Sequence, residues 1–319
     1  MKASPLSEPT SSGAAPAVAA ARSARLRLIA GIACGLATSL IWGIQAVVSR
    51  QSVADGLTAA DVTILRFSVA ALLLLPIALK RMRPFPVGRL GWRRALLLTA
   101  LVGAPYSLVL IGGAAFAPAL HASAITPGLI PVMTAVMAWF VAGERPGPMR
   151  IVGLAIVLAG IVAFSWQGFA QSTMGGEVWI GDLLFMLNAL MWSAFGILAR
   201  RWGADAIEVT VATCLLSVLV LPVFALAMPV NLANVPWPAI ALQAVYQGAL
   251  VGVGALFIYT QTVALLGAGR ATLFLPLNPA VTAVAGALLL AELPSHFEIA
   301  GMFLVIVGMT IALRARSDV

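Results

Sequence analysis

Ala122-Ser123-Ala124-Ile125-Thr126-Pro127-Gly128-Leu129-Ile130-Pro131, leading to Gly143-Glu144, returns as Arg270-Ala271-Thr272-Leu273-Phe274-Leu275-Pro276-Leu277-Asn278-Pro279, leading to Ala291-Glu292, about 148 residues later. Outward from these two stretches the correspondence continues in the same order. Pro131 answers Pro279, Glu144 answers Glu292, and Gly153 with Gly160 answers Gly301 with Gly308, while Trp42 answers Trp192 two residues out of register. An internal repeat in a strongly apolar chain is the mark of a transporter built from two related halves.

Of the 319 residues 61% are hydrophobic and only 9% charged, with a mean hydropathy of +1.04, which excludes an ordinary soluble globule. The two cysteines, Cys34 and Cys214, both lie in apolar stretches, so a disulfide scaffold is not supported. With only His121 and His296 beside them, and no HExxH, CxxC or phosphate-loop pattern, neither a metal nor a cofactor is expected.

Apolar segments of bilayer-spanning length fall near Leu28 to Val48, Val62 to Leu79, Ala95 to Ala115, Ala122 to Val141 and Ile151 to Trp166. Five more fall near Gly181 to Ala199, Glu208 to Met228, Ala239 to Leu265, Ala271 to Leu290 and Ile299 to Leu313. The fold expected is therefore an all-α integral membrane protein of ten transmembrane helices. With the N-terminus cytoplasmic, 17 of the 19 Lys and Arg residues fall on the cytoplasmic side, leaving Arg50 outside and Arg66 within the second span. The net charge of +8 is then a topology signal, and no nucleic-acid partner is needed to explain it. An odd number of spans per half forces the second half to cross in the opposite sense, which suits alternating access. Residues 1–24, rich in Ala, Ser and Pro, read as a disordered cytoplasmic tail ahead of a first repeat over 25–167 and a second, inverted repeat over 178–314. The expected location is a bacterial-type inner membrane, with both termini cytoplasmic.

Four patterns now carry a family resemblance: Trp42-Gly43, Leu65-Arg66-Phe67 with Ala70, the run through Pro131 to Gly143-Glu144-Arg145, and Gly153 to Gly160. Gly181-Asp182-Leu183-Leu184, Trp192 and Ala291-Glu292 restate them in the second half, although Leu293 stands where the first half has Arg145. The chain resembles an EamA-type carrier of the drug/metabolite transporter superfamily, with two EamA repeats. Its size and ten-span plan are similar to those of bacterial amino-acid exporters, including the aromatic amino-acid type. The resemblance implies a carrier of small organic solutes with a central cavity bordered by spans 1, 3, 4, 6, 8 and 9.

Polar and aromatic residues in the middle of those spans are the candidate substrate contacts: Trp42, Gln45, Tyr106, Ser107, Asn188, Trp192, Tyr246, Gln247, Tyr259, Gln261 and Asn278. Amides and aromatics orient a neutral or zwitterionic solute without a permanent buried charge; equally, they bond and pack between helices. Arg66 is a further candidate, able to hold a substrate carboxylate in bidentate fashion. Lying about 6 Å inside the outer edge at ~1.5 Å per residue, it is also placed to snorkel or to pair with Asp61 or Asp55. The paired prolines Pro127 and Pro131, and Pro276 and Pro279, are candidate hinges, each freeing a carbonyl one turn earlier, near Ser123, Pro127, Thr272 and Leu275.

Asp61, Glu144, Asp182, Glu208, Glu292 and Glu298 all map to span ends or loops, so no buried titratable group is expected. His121, the best candidate for a proton relay, reads as an interfacial side chain. The function expected is export of neutral or aromatic amino acids and related metabolites by alternating access. The alternatives are export of multiple drugs or of other metabolites such as nucleotide sugars. A membrane-embedded transferase is disfavoured because no span pairs a nucleophile with a base, so the protein is not expected to be an enzyme. The partners expected are a small-molecule substrate and the lipid bilayer; one chain holds both halves and suffices as a monomer, with a dimer also compatible.

Overall fold

The computed structural model describes the backbone of residues 14–143, 146–172 and 177–314, and side chains within 25–140, 146–166, 177–267 and 270–314. Glu144 and Arg145 lie outside the described residues, as do residues 1–13 of the expected tail. Among the described residues, ten helices are long and apolar enough to cross a bilayer. They are α1 (Ala14–Ala54), α2 (Ala59–Arg81), α3 (Gly88–Phe116), α4 (Ala119–Ala142), α5 (Pro148–Ser172), α6 (Val178–Arg201), α7 (Ala206–Ala227), α8 (Trp237–Leu266), α9 (Thr272–Leu289) and α10 (His296–Arg314). Helix α1 begins at Ala14, inside the stretch expected to be disordered, because Ala14 to Ala21 is mostly alanine, the best helix former.

The packing of these helices repeats itself when five is added to or subtracted from every number. Helix α1 packs on α8 and α9 as α6 packs on α3 and α4; α2 on α8 mirrors α7 on α3; α2 meets α7, and α5 meets α10. That is the pattern of two inverted five-helix units related by a pseudo-twofold axis in the membrane plane. The outward faces are apolar, as at Leu72, Phe140, Val162, Leu226 and Leu288, as lipid-facing surface requires.

The α5 and α10 contact shows why the repeated glycines recur. Lipid supplies no hydrophobic drive between helices, so small residues that let backbones approach must do the work. A Cβ at Gly153 would lie 2.5 Å from the Ala312 nitrogen, and one at Gly308 would lie 2.7 Å from the Gly153 oxygen. Gly160 and Gly301 meet in the same reciprocal way. The two members of the sequence repeat are thus each other's packing partners.

The two proline pairs behave differently. Helix α4 remains α-helical through Pro127 and Pro131. In α9, Thr272–Leu277 tightens into a 3-10 turn containing Pro276, and α-helix resumes at Asn278. Of the carbonyls expected to be free there, that of Leu275 accepts from Asn278 N–H; the neighbouring Phe274 O accepts from the Ser39 hydroxyl at 2.7 Å. Helix α8 carries a distortion not foreseen from the sequence, a π-helical stretch over Ala244–Gly254. Its Gly248 and Gly252 lie against Val69 and Ala70 of α2, a close approach that flanks Gln247. Long π-stretches are rare and gather at functional sites.

Candidate functional site

Two aromatic pairs mark the middle of the bundle. Trp42 of α1 meets Tyr259 of α8 with ring centroids 5.4 Å apart and planes inclined at 45°; Trp192 of α6 meets Tyr106 of α3 at 5.7 Å and 49°. In each case the first helix of one half offers a Trp to a Tyr on the third helix of the other. Their matching geometry follows from the pseudo-twofold, and tilted contacts of this kind suit the ring quadrupoles.

Around these pairs lies a layer of buried polar groups. Gln247, Asn188, Tyr106 and Asn278 sit ten or eleven residues from the helix ends nearest Glu292, and Arg66 seven. At ~1.5 Å per residue that is roughly 10–17 Å into a hydrocarbon core of about 30 Å. Asn188 donates its amide to Tyr106 O at 3.0 Å, Gln247 donates to the Ser49 hydroxyl at 3.0 Å, and Gln243 donates to Val48 O at 2.9 Å. Ser107 and Thr63 hydroxyls lie 3.1 Å apart, and the Tyr246 hydroxyl donates to Ile41 O at 2.8 Å. Thr282 donates to Gly43 O at 2.6 Å, which ties α9 to α1 beside Asn278.

Among the described residues, several buried polar atoms of this layer have no hydrogen-bond partner in the protein. The amide oxygens of Asn188, Gln243, Gln247 and Asn278 are buried acceptors without a protein donor, while Arg66 Nη1 is a buried donor without a protein acceptor. Buried polar groups in this condition cost free energy until something satisfies them. Unmet acceptors together with the unmet Nη1 of Arg66, whose guanidinium also lies 5.7 Å from the Phe67 ring centroid, suit a solute bearing both an ammonium and a carboxylate.

Arg66 differs from expectation in depth and in partners. Because α2 begins at Ala59, the side chain starts about 10 Å along the helix. Asp61 is occupied in a capping box with Thr58 and in bonds from Asn231 N–H, and Asp55 accepts from Gln51, so neither is its counterion. Gln261 also departs from expectation: it is exposed, as is Trp192 despite its contact with Tyr106. Gln45 is half-buried. The remaining candidates lie at the interhelical contacts just described.

The expectation of no buried titratable group is corrected at the Glu292 end of the bundle. His121 of α4 is 3% exposed and bridges Asp182 of α6, Nδ1 to Oδ1 at 2.6 Å, and Glu298 of α10, Nε2 to Oε1 at 3.1 Å. The Phe164 ring covers the imidazole edge-on at 4.7 Å. Nearby, Arg50 pairs with Glu292 at 3.0 Å and donates to Ala114 O, and Glu292 also accepts from Ala119 N–H. Asn231 N–H and Asp61 add a further link between the halves at the same end. A cavity of about 300 Å³, lined in part by His121, Thr282, Glu292 and Glu298, opens among them. Residues at the start of a span read as interfacial on hydropathy alone. The available signal was parity, which brings the beginnings of α4, α6 and α10 to one end of the bundle.

Comparison with known proteins agrees with this architecture. An uncharacterized transporter, YyaM, of Bacillus subtilis (strain 168) is 27% identical over 197 residues, 59% of this chain and 63% of the relative, so the match spans a little under two thirds of that protein's length. The uncharacterized protein PA1977 of Pseudomonas aeruginosa is 29% identical over 236 residues, 73% of this chain and 77% of that one. A protein solved by crystallography shares the fold with a TM-score of 0.58 and 22% identity, over 90% of this chain and 98% of its own. Residues 29–166 and 179–314 each match the EamA-like transporter family across most of one five-helix half. With two complete copies of that unit in one polypeptide, the chain belongs to the EamA-like transporter family.

Proposed function

We propose that this transporter exports neutral and aromatic amino acids and related metabolites by alternating access. The observation that carries the reading is the mid-membrane layer: two mirrored Trp–Tyr pairs for an apolar or aromatic side chain, unmet amide oxygens for an ammonium, and Arg66 Nη1 for a carboxylate. A permanent organic cation would meet an unpaired guanidinium there, which disfavours the multidrug alternative.

Alternating access is supported by the buried ties at the Glu292 end taken together with the inverted repeat. Bonds from Arg50, Asp61, Ala119 and His121 to the second half close the Glu292 end, while the Arg89–Glu208 pair joins the halves at the opposite end. Under the Lys and Arg bias the Glu292 end faces outward, with both termini in the cytoplasm of a bacterial-type cell. A state closed on the outside is half of a transport cycle, and the inverted repeat supplies its counterpart.

Purified protein in liposomes preloaded with unlabelled tryptophan or leucine is expected to take up the labelled amino acid by saturable counterflow. Uptake no greater than in empty vesicles across an amino-acid panel would overturn the reading.

A further inference from the structure

The contact between His121 and its two carboxylates has a proton count built into it. Nδ1 faces Asp182 and Nε2 faces Glu298, both within hydrogen-bond distance. A neutral imidazole has one N–H, so it can donate to only one of them. The other ring nitrogen would then set its lone pair against a carboxylate oxygen. Both contacts are satisfied only when the cluster holds one more proton than a neutral imidazole and two carboxylates, on the ring or on one of the acids. Which atom carries it does not change the count.

These three side chains stand on α4, α6 and α10, so they join the first half to the second at the end closed by the Arg50–Glu292 pair. The other charged groups near the cluster are Glu292 and Arg50, already paired to each other, and Glu177 at the start of α6, which is exposed. His296, on the first turn of α10, is also exposed and makes no contact with the ring among the described residues. Among the described residues, Asp182 Oδ2 is buried without a partner, so no other side chain donates to the cluster in place of the missing proton.

We infer that His121, Asp182 and Glu298 form a proton-binding site whose occupancy latches the Glu292 end of the transporter shut. Loss of the proton breaks one of the two bonds across the halves and favours opening. The cavity beside the cluster gives water, and hence protons, a route to it. The inference rests on the family and the fold and holds whatever solute is carried.

The test therefore reads conformation. Ala283, a half-buried residue lining the cavity, is replaced by cysteine in a background where Cys34 and Cys214 are alanine. The full chain in lipid nanodiscs is treated with a hydrophilic maleimide between pH 6 and pH 9, with rates normalised to a cysteine at Val230, which is exposed in the loop before α8 and does not line the cavity. The labelling rate of Ala283→Cys is expected to rise about tenfold toward alkaline pH, the factor that loss of one hydrogen bond to a charged group supplies.

Glu298→Gln is the decisive variant. Its amide nitrogen can donate to His121 Nε2 while its oxygen keeps the Ser295 N–H bond now made by Glu298 at 2.6 Å. The latch then closes with a neutral imidazole, and labelling should stay slow at every pH. His121→Gln removes the titrating ring and should label quickly throughout. A normalised wild-type rate that is flat with pH, or a Glu298→Gln rate that rises as the wild type does, would overturn the inference. Because Glu298→Gln preserves shape and bonds, its elution and melting should match wild type, so the test stands even if His121→Gln fails to fold.

Discussion

Replacing Gly153 by alanine puts the α5 and α10 interface to a quantitative test. The added Cβ would lie 2.5 Å from Ala312 N and 2.9 Å from Gly308 O, where ordinary contact begins at 3.4 Å. Both obstacles are backbone, so no side chain can swing aside, and the helices must part by about 0.9 Å at that point, loosening the close-packed contacts on either side. Overpacking of this kind costs about 1–3 kcal/mol. Alanine also gains up to about 1 kcal/mol of helix propensity over glycine, which partly conceals the clash. Gly196→Ala on α6 supplies the control, because nothing lies within 4 Å of its Cβ position and it gains the same propensity. The difference between the two variants isolates the clash. Thermal unfolding in detergent, followed by tryptophan fluorescence, should place Gly153→Ala roughly 2–5 °C below Gly196→Ala. The Gly153→Ala, Gly308→Ala double variant should lose less than the sum of the singles, since one separation relieves both contacts. Equal melting temperatures for Gly153→Ala and Gly196→Ala would refute the reasoning.

Other expectations bear on the site. Trp42→Ala and Trp192→Ala each remove one ring of a mirrored pair, worth about 0.5–1.5 kcal/mol beyond buried area, and each should lower counterflow of an aromatic amino acid by about tenfold, with Phe at either position restoring most of it. If Arg66 holds the carboxylate, Arg66→Leu should weaken competition by an amino acid far more than competition by its methyl ester; an unchanged ratio of the two inhibition constants would assign Arg66 to structure. Arg50→Gln removes a half-exposed ion pair worth about 0.2–1 kcal/mol and should raise maleimide labelling at Ala283→Cys by no more than about fivefold; a larger effect would make this pair the dominant closure.

Much of the architecture was legible because the bilayer imposes it. A chain with this hydropathy has to satisfy its backbone within helices, so span length and the Lys and Arg pattern suffice to count and orient them. The repeated prolines and glycines, read with the parity of five, disclosed the inversion. The aromatic candidates were found for the same reason, since Trp42, Tyr106, Trp192 and Tyr259 are unusual at mid-span. Hydropathy could not distinguish a polar residue facing the interior from one facing outward, which is why Gln261 was grouped with Gln247 although only the latter is buried. Nor could it show that one proline pair tightens its helix while the other leaves it intact, because neighbouring helices decide how freed carbonyls are met.

An all-helical membrane protein of two inverted halves is readable from the chain alone, since apolar length, charge bias and internal repetition are properties of a linear string. Which residues become partners depends on how the helices pack. That packing set Gly153 against Gly308, Trp42 against Tyr259, and His121 between Asp182 and Glu298, from opposite halves and 61 or more positions apart. Those pairings follow from three-dimensional contact across the pseudo-twofold. The ionic demands of the last cluster arise only once the protein around it has excluded water from groups that hydropathy had assigned to the interface.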